Sequence, residues 1–276
     1  MKIALCNEVV AAMPFARQCE FAAALGYDGL EAAPFTFSDE PHLLGGSKAA
    51  ELRRVSEAAG CPILGLHWLL VKPAGLSITT GDAAVRQRTI EVIRRLVALC
   101  AELGGRYLVH GSPAQRRLPE GLGADDARGW AEEAFALAGE AAAKAGVIYC
   151  VEPLAPRETN YLNSVGEAAA LVERIGNPAL RTMIDTSAAS QAEAQPVADL
   201  LDEWLPKGLI GHVQVNDRNR RGPGQGEDRF APVFAVLRRH NYAGVVGIEP
   251  FDYVPDGPAS AARAIGYVRG ILEAIP

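Results

Sequence analysis

Three apolar, strand-like segments of the sequence end in a carboxylate. Glu152 and Glu249 each close such a segment and precede a proline, and Asp185 closes a third one. A carboxylate at the end of a buried strand costs free energy unless an opposite charge offsets it. If the three ends share one cavity, their mutual repulsion is strong, and a divalent cation is the simplest compensation. The pattern therefore predicts a metal site.

The seventh strand-like segment adds two polar side chains to this candidate site. His212 and Gln214 are two residues apart, so both point to the same face of a strand. Gln214 offers a neutral carbonyl oxygen, whereas His212 could bind the metal, support a ligand or contact a substrate. Oxygen ligands favour Mg²⁺ or Mn²⁺ over zinc, and Co²⁺ is a further option.

A structural role is the alternative for each of these acidic residues. Asp185 is followed by Thr186 and Ser187, and an aspartate in such a position often caps a helix. A single carboxylate at a strand end also often forms a surface ion pair. Because the Glu-Pro pair follows two different apolar segments, we interpret the whole set as a metal site.

Two histidines and a tryptophan mark the ends of two neighbouring segments. His67 and His110 close the third and fourth segments, and Trp68 follows His67 directly. A lone histidine in this position is often structural, but three such side chains at one mouth favour contact with a substrate. Trp68 could cover the apolar face of a sugar ring.

Eight short apolar segments alternate with longer helical ones. The fold that these segments form determines whether the polar side chains at their ends lie close together. Helical periodicity is clearest where Ile90, Ile93, Val97 and Cys100 recur at three- and four-residue spacing. The predicted strands are Lys2–Cys6, Gly29–Ala32, 63–67, Tyr107–His110, 148–152, 182–185, Ile210–Val215 and 245–249. The predicted helices cover residues 16–25, 48–59, 83–103, 125–145, 165–175, 195–204, 229–240 and 258–274.

This alternation predicts a single (β/α)8 TIM barrel that covers residues 1–276. An open, doubly wound sheet is the alternative, but the first strand is followed by Asn7-Glu8-Val9-Val10 instead of a glycine-rich phosphate loop. In a barrel the reactive groups lie at the C-terminal ends of the strands, so the polar ends described above meet at one mouth.

Composition limits the partners and the compartment. The net charge of −6 argues against a nucleic-acid partner, which needs a basic surface. No segment is long and apolar enough to predict a membrane span, so we expect no membrane partner. The five cysteines match no metal or disulfide spacing and are expected to be buried thiols in a reducing cytoplasm.

The polar strand ends and their flanking residues resemble the sugar phosphate isomerase/epimerase superfamily of xylose isomerase-like TIM barrels. The resemblance covers nearly the whole chain, and the ketose 3-epimerases and hydroxypyruvate isomerases are the most similar subgroups. The motifs that carry it are Leu66-His67-Trp68, Val109-His110-Gly111-Ser112-Pro113, Val151-Glu152-Pro153-Leu154, Ile184-Asp185-Thr186, His212-Val213-Gln214-Val215-Asn216-Asp217 and Gly247-Ile248-Glu249-Pro250.

The resemblance implies which residues bind the metal. Glu152, Asp185, Gln214 and Glu249 match the four ligand positions. Ketose 3-epimerases usually have histidine at the Gln214 position, whereas hydroxypyruvate isomerases have glutamine there. The metal site is therefore expected to tolerate this difference.

The resemblance also implies substrate contacts outside the metal site. Glu158 lies six residues after Glu152, and Arg220 lies six after Gln214, where ketose 3-epimerases have residues that contact the substrate. Those enzymes often have a histidine three residues after the aspartate of strand six, and this chain has Ala188 there. The epimerase-type contact with substrate hydroxyls is therefore in question.

These features predict a metal-dependent isomerase or epimerase of a keto-sugar or small hydroxy-carbonyl compound. The reaction would pass through an enediolate, with Glu152 and Glu249 as the acid/base pair, and the sequence does not choose between epimerisation and isomerisation. The expected substrate is a small sugar or keto-acid. Because barrels of this kind commonly pair, a homodimer or homotetramer is expected.

Three other functions compete with this prediction. A lyase that dehydrates a keto-inositol or a 3-keto-glycoside could use the same enediolate. A non-catalytic sugar-binding relative is disfavoured because both Glu152 and Glu249 are present. A DNA-repair enzyme resembling endonuclease IV is disfavoured by the acidic charge and by the lack of histidine in the strand-six loop.

Overall fold

Eight parallel strands close a barrel in the order in which they occur along the chain. The computed structural model describes residues 1–120 and 123–275. The strands are β1 (Lys2–Cys6), β2 (Gly29–Ala32), β3 (Ile63–Leu66), β4 (Tyr107–His110), β5 (Ile148–Val151), β6 (Leu180–Asp185), β7 (Ile210–Val215) and β8 (Val245–Ile248). Ala4 of β1 lies opposite both Gly29 and Gly247, which closes the sheet. The predicted TIM barrel is therefore confirmed.

The helices form the outer layer. They are α1 (Phe15–Leu25), α2 (Ser47–Ala58), α3 (Ala83–Glu102), α4 (Ala124–Ala145), α5 (Val165–Ile175), α6 (Thr186–Ala192), α7 (Val197–Trp204), α8 (Ala231–Arg239) and α9 (Gly257–Ala274). The sequence predicted one helix after strand six, over residues 195–204, and the structure has two there. The additional helix α6 begins directly after Asp185, whose Oδ1 accepts a hydrogen bond from the Ala188 N–H at 2.7 Å.

The interior of the barrel is apolar at its lower end and polar at its C-terminal mouth. The lower part is filled by Ala4, Leu64, Tyr107, Val109, Cys150 and Met183. Above it, buried polar side chains from six strands and their ends occupy the interior, namely Glu31, His67, Glu152, Asp185, His212, Gln214 and Glu249. The outer faces of the strands pack against the helices and supply most of the remaining core.

The cysteines and the helices bear on what composition led us to expect. All five cysteines are unpaired and buried, as predicted for core thiols. None of the helices in residues 1–120 and 123–275 has the length and apolar character that crossing a membrane requires.

Candidate active site

Three carboxylates from different strands converge at the mouth of the barrel. Glu152 directly follows β5, Asp185 is the last residue of β6, and Glu249 directly follows β8. One oxygen of each carboxylate lies within 4.8 Å of the oxygens of the other two. All three side chains are buried. The structure thus brings together the acidic residues that the sequence singled out.

Two oxygens beside this cluster are buried and have no hydrogen-bond partner in the described part of the chain. One is Oδ2 of Asp185, and the other is Oε1 of Gln214. Asp185 and Gln214 are directly opposite each other on β6 and β7. Buried acceptors without a donor are costly, and a cation would satisfy both. The donor set of Glu152, Asp185, Gln214 and Glu249 therefore fits a divalent metal ion that prefers oxygen.

Burial and mutual repulsion raise the pKa values of the three carboxyl groups. Burial raises the pKa of Glu249 to about 7, although the hydrogen bond and charge of His67 act in the opposite direction. Burial and the charge of Glu249 raise the pKa values of Glu152 and Asp185 well above their ordinary range. Arg116, which is fully buried, partly opposes this effect at Glu152. Because metal ligands must lose their protons, cation binding is expected to release protons here.

Glu249 is held by two donors that reach the same oxygen. Its Oε1 lies 2.8 Å from Nε1 of Trp68 and 2.9 Å from Nδ1 of His67. The second ring nitrogen of His67 lies 2.9 Å from Oε2 of Glu8. Burial alone would lower the pKa of His67, but the charges of Glu8 and Glu249 raise it well above its usual value. His67 is therefore buried between two carboxylates whose charges favour its protonated form.

Cys6, Glu8 and His67 also converge on Glu249 closely enough to suggest a second cation site. Both ring nitrogens of His67 are, however, already at hydrogen-bond distance from Glu8 and Glu249, on opposite sides of the ring. A metal could bind His67 only after one of these bonds is broken. Glu8, His67 and Glu249 therefore form a hydrogen-bond network.

Glu31 is a site residue to which the sequence analysis assigned no role. It is fully buried on β2 and accepts hydrogen bonds from Tyr107 Oη and Gln214 Nε2, each at 2.7 Å. Burial would raise the pKa of Glu31, but His212 and His67 lower it to about 2. Glu31 thereby turns the amide of Gln214 so that its oxygen remains available. A carboxylate inside an apolar strand was a signal that could have identified it.

His212 lies below the cavity. Its ring stacks on Tyr107 with centroids 4.1 Å apart, and its Nε2 lies 2.9 Å from Oε2 of Glu31. It does not line the cavity beside the carboxylates. His212 is therefore not retained as a candidate substrate contact, since it faces the carboxylate that positions Gln214.

His110 points out of the barrel. Tyr107 and Val109 point into the interior, so the alternation of side chains along β4 turns His110 towards the helices. Its Nδ1 lies 2.7 Å from Tyr149 Oη, and its ring packs edge-on against Phe135 of α4. Burial and the charge of Arg116 lower the pKa of His110 to about 3. It is therefore not retained as a candidate substrate contact.

A cavity beside the carboxylates is lined by the other predicted contact residues. It encloses about 340 Å³, including space open to solvent, and His67, Trp68 and Glu158 lie on its wall with Phe251. A neighbouring lobe, also bounded by Glu158, is lined by Asp185, Ala188, Gln191 and Arg220. Four of the six predicted substrate contacts thus lie at the cavity: His67, Trp68, Glu158 and Arg220.

Gly111, on one wall of the cavity, packs tightly against Glu152, one of the two proposed acid/base residues. A Cβ atom added to Gly111, directly after β4, would lie 2.2 Å from Oε2 of Glu152. The backbone of Gly111 and the carboxylate are therefore in direct contact, and no side chain fits between them.

Comparison with known proteins identifies the family. A profile of the family described as xylose isomerase-like TIM barrel matches residues 19–271. The L-ribulose 3-epimerase of Mesorhizobium japonicum is 30% identical to this chain. The match covers 68% of this chain and 62% of that protein's length. The D-psicose 3-epimerase of Agrobacterium fabrum is 28% identical over 86% of this chain and 79% of its own length.

Solved structures agree in fold. A crystal structure of D-psicose 3-epimerase in the presence of D-fructose superposes on this chain with a TM-score of 0.81. The match covers 99% of both chains at 20% sequence identity, so it shows a common fold. The matched enzymes agree with the sequence-based prediction of an isomerase or epimerase. The match of the family profile over most of the sequence establishes that this chain belongs to the xylose isomerase-like TIM barrel family.

Proposed function

We propose that this protein is a divalent-metal-dependent isomerase or epimerase of a keto-sugar or small hydroxy-carbonyl compound. The observation that carries the proposal is the cluster of Glu152, Asp185 and Glu249, whose oxygens approach within 4.8 Å inside a buried mouth. The unpaired oxygen of Gln214 beside the cluster supports it further. The two relatives described above, both sugar 3-epimerases, support the type of substrate.

Glu152, Asp185, Gln214 and Glu249 would hold the cation. A bound divalent ion acts as a Lewis acid that stabilises negative charge on the carbonyl and neighbouring hydroxyl oxygens of a substrate. The all-oxygen donor set favours Mn²⁺ or Mg²⁺, with Co²⁺ as a further candidate.

Glu152 and Glu249 would move the proton. They follow β5 and β8, and both line the cavity next to the carboxylate cluster. A carboxylate held beside a weakly acidic C–H group of the substrate can accept its proton and return it. If one glutamate removes the proton and the other returns it to the opposite face of the same carbon, the product is an epimer. Return to the adjacent carbon gives an aldose–ketose isomer.

The cavity suits a small polyhydroxylated molecule. Glu158 and Arg220 offer hydrogen-bond partners for hydroxyl or carboxylate groups, whereas Trp68 and Phe251 offer apolar surface. The substrate proposed is therefore a small sugar or a small keto-acid.

A substrate panel in deuterated solvent tests this function. Free ketoses, their phosphates and small hydroxy-ketones are each incubated with the protein and Mn²⁺ or Mg²⁺, and the products are analysed by NMR and mass spectrometry. Uptake of solvent deuterium with no loss of water supports isomerisation or epimerisation, whereas loss of water indicates a dehydratase. A metal-free sample with full activity would refute the metal dependence, and a panel without any exchange would refute the reaction type.

Homo-oligomerisation and a cytoplasmic location are further proposals that rest on the sequence alone. Light scattering of the purified protein tests for a dimer or tetramer. Fractionation of the producing cells tests the compartment.

A further inference from the structure

Trp68 has a backbone conformation that bulky residues rarely adopt. Its φ angle is 52°, in the left-handed region, directly after His67 at the end of β3. Such strain persists where surrounding contacts determine the conformation, and it is often found at functional sites. The chain is fixed on both sides, because the His67 N–H donates to Ala32 O at 3.1 Å and the Leu70 N–H donates to Ser112 Oγ at 3.1 Å.

This conformation directs the indole towards the segment that follows β8. The Trp68 Nε1–H donates to Oε1 of Glu249 at 2.8 Å. The indole ring also packs edge-on against Phe251, with centroids 6.1 Å apart. Trp68 therefore contacts both the carboxylate and a side chain two residues beyond it.

The indole hydrogen bond restricts which oxygen of Glu249 is free. The Trp68 N–H donates to Oε1, and Nδ1 of His67 lies 2.9 Å from the same oxygen, which leaves Oε2 for a cation or a substrate proton. His67 also contacts Glu8 and lies 3.8 Å from Glu31, so its position depends on several carboxylates. Among the described residues, the indole N–H has a single acceptor, Oε1 of Glu249, so its hydrogen bond depends on one carboxylate.

We propose that Trp68 is a positioning residue that orients the Glu249 carboxylate through its indole N–H. This role differs from stacking on the sugar, which requires only the apolar ring. The consequence for metal binding rests on the function proposed above, whereas the hydrogen bond itself does not.

The variant Trp68→Phe separates the two roles, because it keeps an apolar ring at the cavity and removes the N–H donor. Residues that orient metal ligands typically change metal affinity or activity by about 10- to 100-fold when replaced. We expect Mn²⁺ to bind metal-free Trp68→Phe at least about 10-fold more weakly than wild type, as measured by calorimetry without substrate. The kcat should fall similarly, with KM within about two-fold.

Trp130→Phe is the matched control for this experiment. Trp130 lies on α4 under the guanidinium of Arg86, away from the cavity, so the same exchange there should leave Mn²⁺ affinity unchanged. A raised KM with unchanged Mn²⁺ affinity in Trp68→Phe would support sugar stacking and overturn the proposal.

A second measurement keeps Trp68 in place and does not depend on the metal. The chain has three tryptophans, so its indole ¹⁵N–¹H NMR signals are few, and the signal lost in Trp68→Phe assigns Trp68. An amide oxygen accepts a hydrogen bond more weakly than a carboxylate. The Trp68 signal should therefore shift in Glu249→Gln and stay in place in Glu158→Gln.

The calorimetry and the NMR measurement distinguish failure of the proposed metal dependence from failure of the proposed role of Trp68. If wild-type protein binds no Mn²⁺, the proposed metal dependence fails, and the NMR signal still decides whether Trp68 donates to Glu249. A Trp68 signal that does not respond to Glu249→Gln would overturn the positioning role.

Discussion

Replacing Glu31 by glutamine should destabilise the protein strongly at neutral pH. Glu31 is fully buried and accepts hydrogen bonds from Tyr107 and Gln214, while His212 Nε2 lies 2.9 Å from its Oε2. In Glu31→Gln the charge is lost, and one oxygen becomes an NH₂ group that faces a donor. Breaking a buried charge pair in this way commonly costs about 3–5 kcal/mol.

The pKa of Glu31 gives an independent magnitude. The histidine charges lower this pKa from 4.5 to about 2 in the folded protein. A carboxyl group with a lowered pKa stabilises the folded state above its unfolded pKa, and this contribution is lost as the pH falls through the folded value. The ionised group therefore contributes about 3 kcal/mol at pH 7 and about 2 kcal/mol at pH 3.5.

Chemical denaturation at several pH values tests this reasoning. Urea unfolding at pH 7 should give Glu31→Gln a free energy of unfolding about 3 kcal/mol below wild type, and the difference should shrink towards pH 3.5. Glu91→Gln is the matched control, because Glu91 forms an exposed pair with Arg95 and its replacement should change stability by less than about 1 kcal/mol. A Glu31→Gln variant as stable as Glu91→Gln at pH 7 would refute the assigned charge network.

Three further predictions follow from the carboxylate cluster. Glu249→Gln should slow deuterium exchange into substrate by at least about 100-fold, as measured by NMR, and exchange at the wild-type rate would exclude Glu249 as a proton-transfer group. Gln214→Ala should weaken Mn²⁺ binding to the metal-free protein in calorimetry, and unchanged binding would remove Gln214 from the ligand set. Because the pKa of Glu249 is raised to about 7 and those of Glu152 and Asp185 are also raised, these groups bind more protons in the folded metal-free protein than in the unfolded chain between about pH 4.5 and pH 7. The Tm of the metal-free protein should therefore be higher at pH 6 than at pH 8 in a thermal scan. Saturating Mn²⁺ should remove or reverse this difference. The same pH trend with and without Mn²⁺ would contradict this prediction.

The sequence predicted the barrel and its acidic mouth because both depend on local signals. Apolar runs that end in Glu152, Asp185 and Glu249 locate strand ends, and the fold brings strand ends together. The helix α6 was not predicted, since seven residues are too few for a helical period to be visible. The sequence nevertheless indicates Asp185, which Thr186 and Ser187 follow, as a possible helix cap, and Asp185 does cap α6.

The positions of His110 and His212 away from the cavity could not be predicted, for a different reason. Both faces of a barrel strand are buried, so apolar residues occur on both and do not reveal which face points inward. For β4, the inward face is set by Tyr107, which extends to Glu31 on another strand, and His110 consequently points outward. The contact between His212 and Glu31 joins residues far apart in the chain, and no local pattern indicates it.

The close approach of Gly111 to Glu152 has a consequence for directed evolution. Any side chain at position 111 would displace the carboxylate, since its Cβ would lie 2.2 Å from Oε2. A saturation library at this codon should return glycine alone among active clones. Attempts to redesign this rim of the cavity should therefore leave position 111 unchanged.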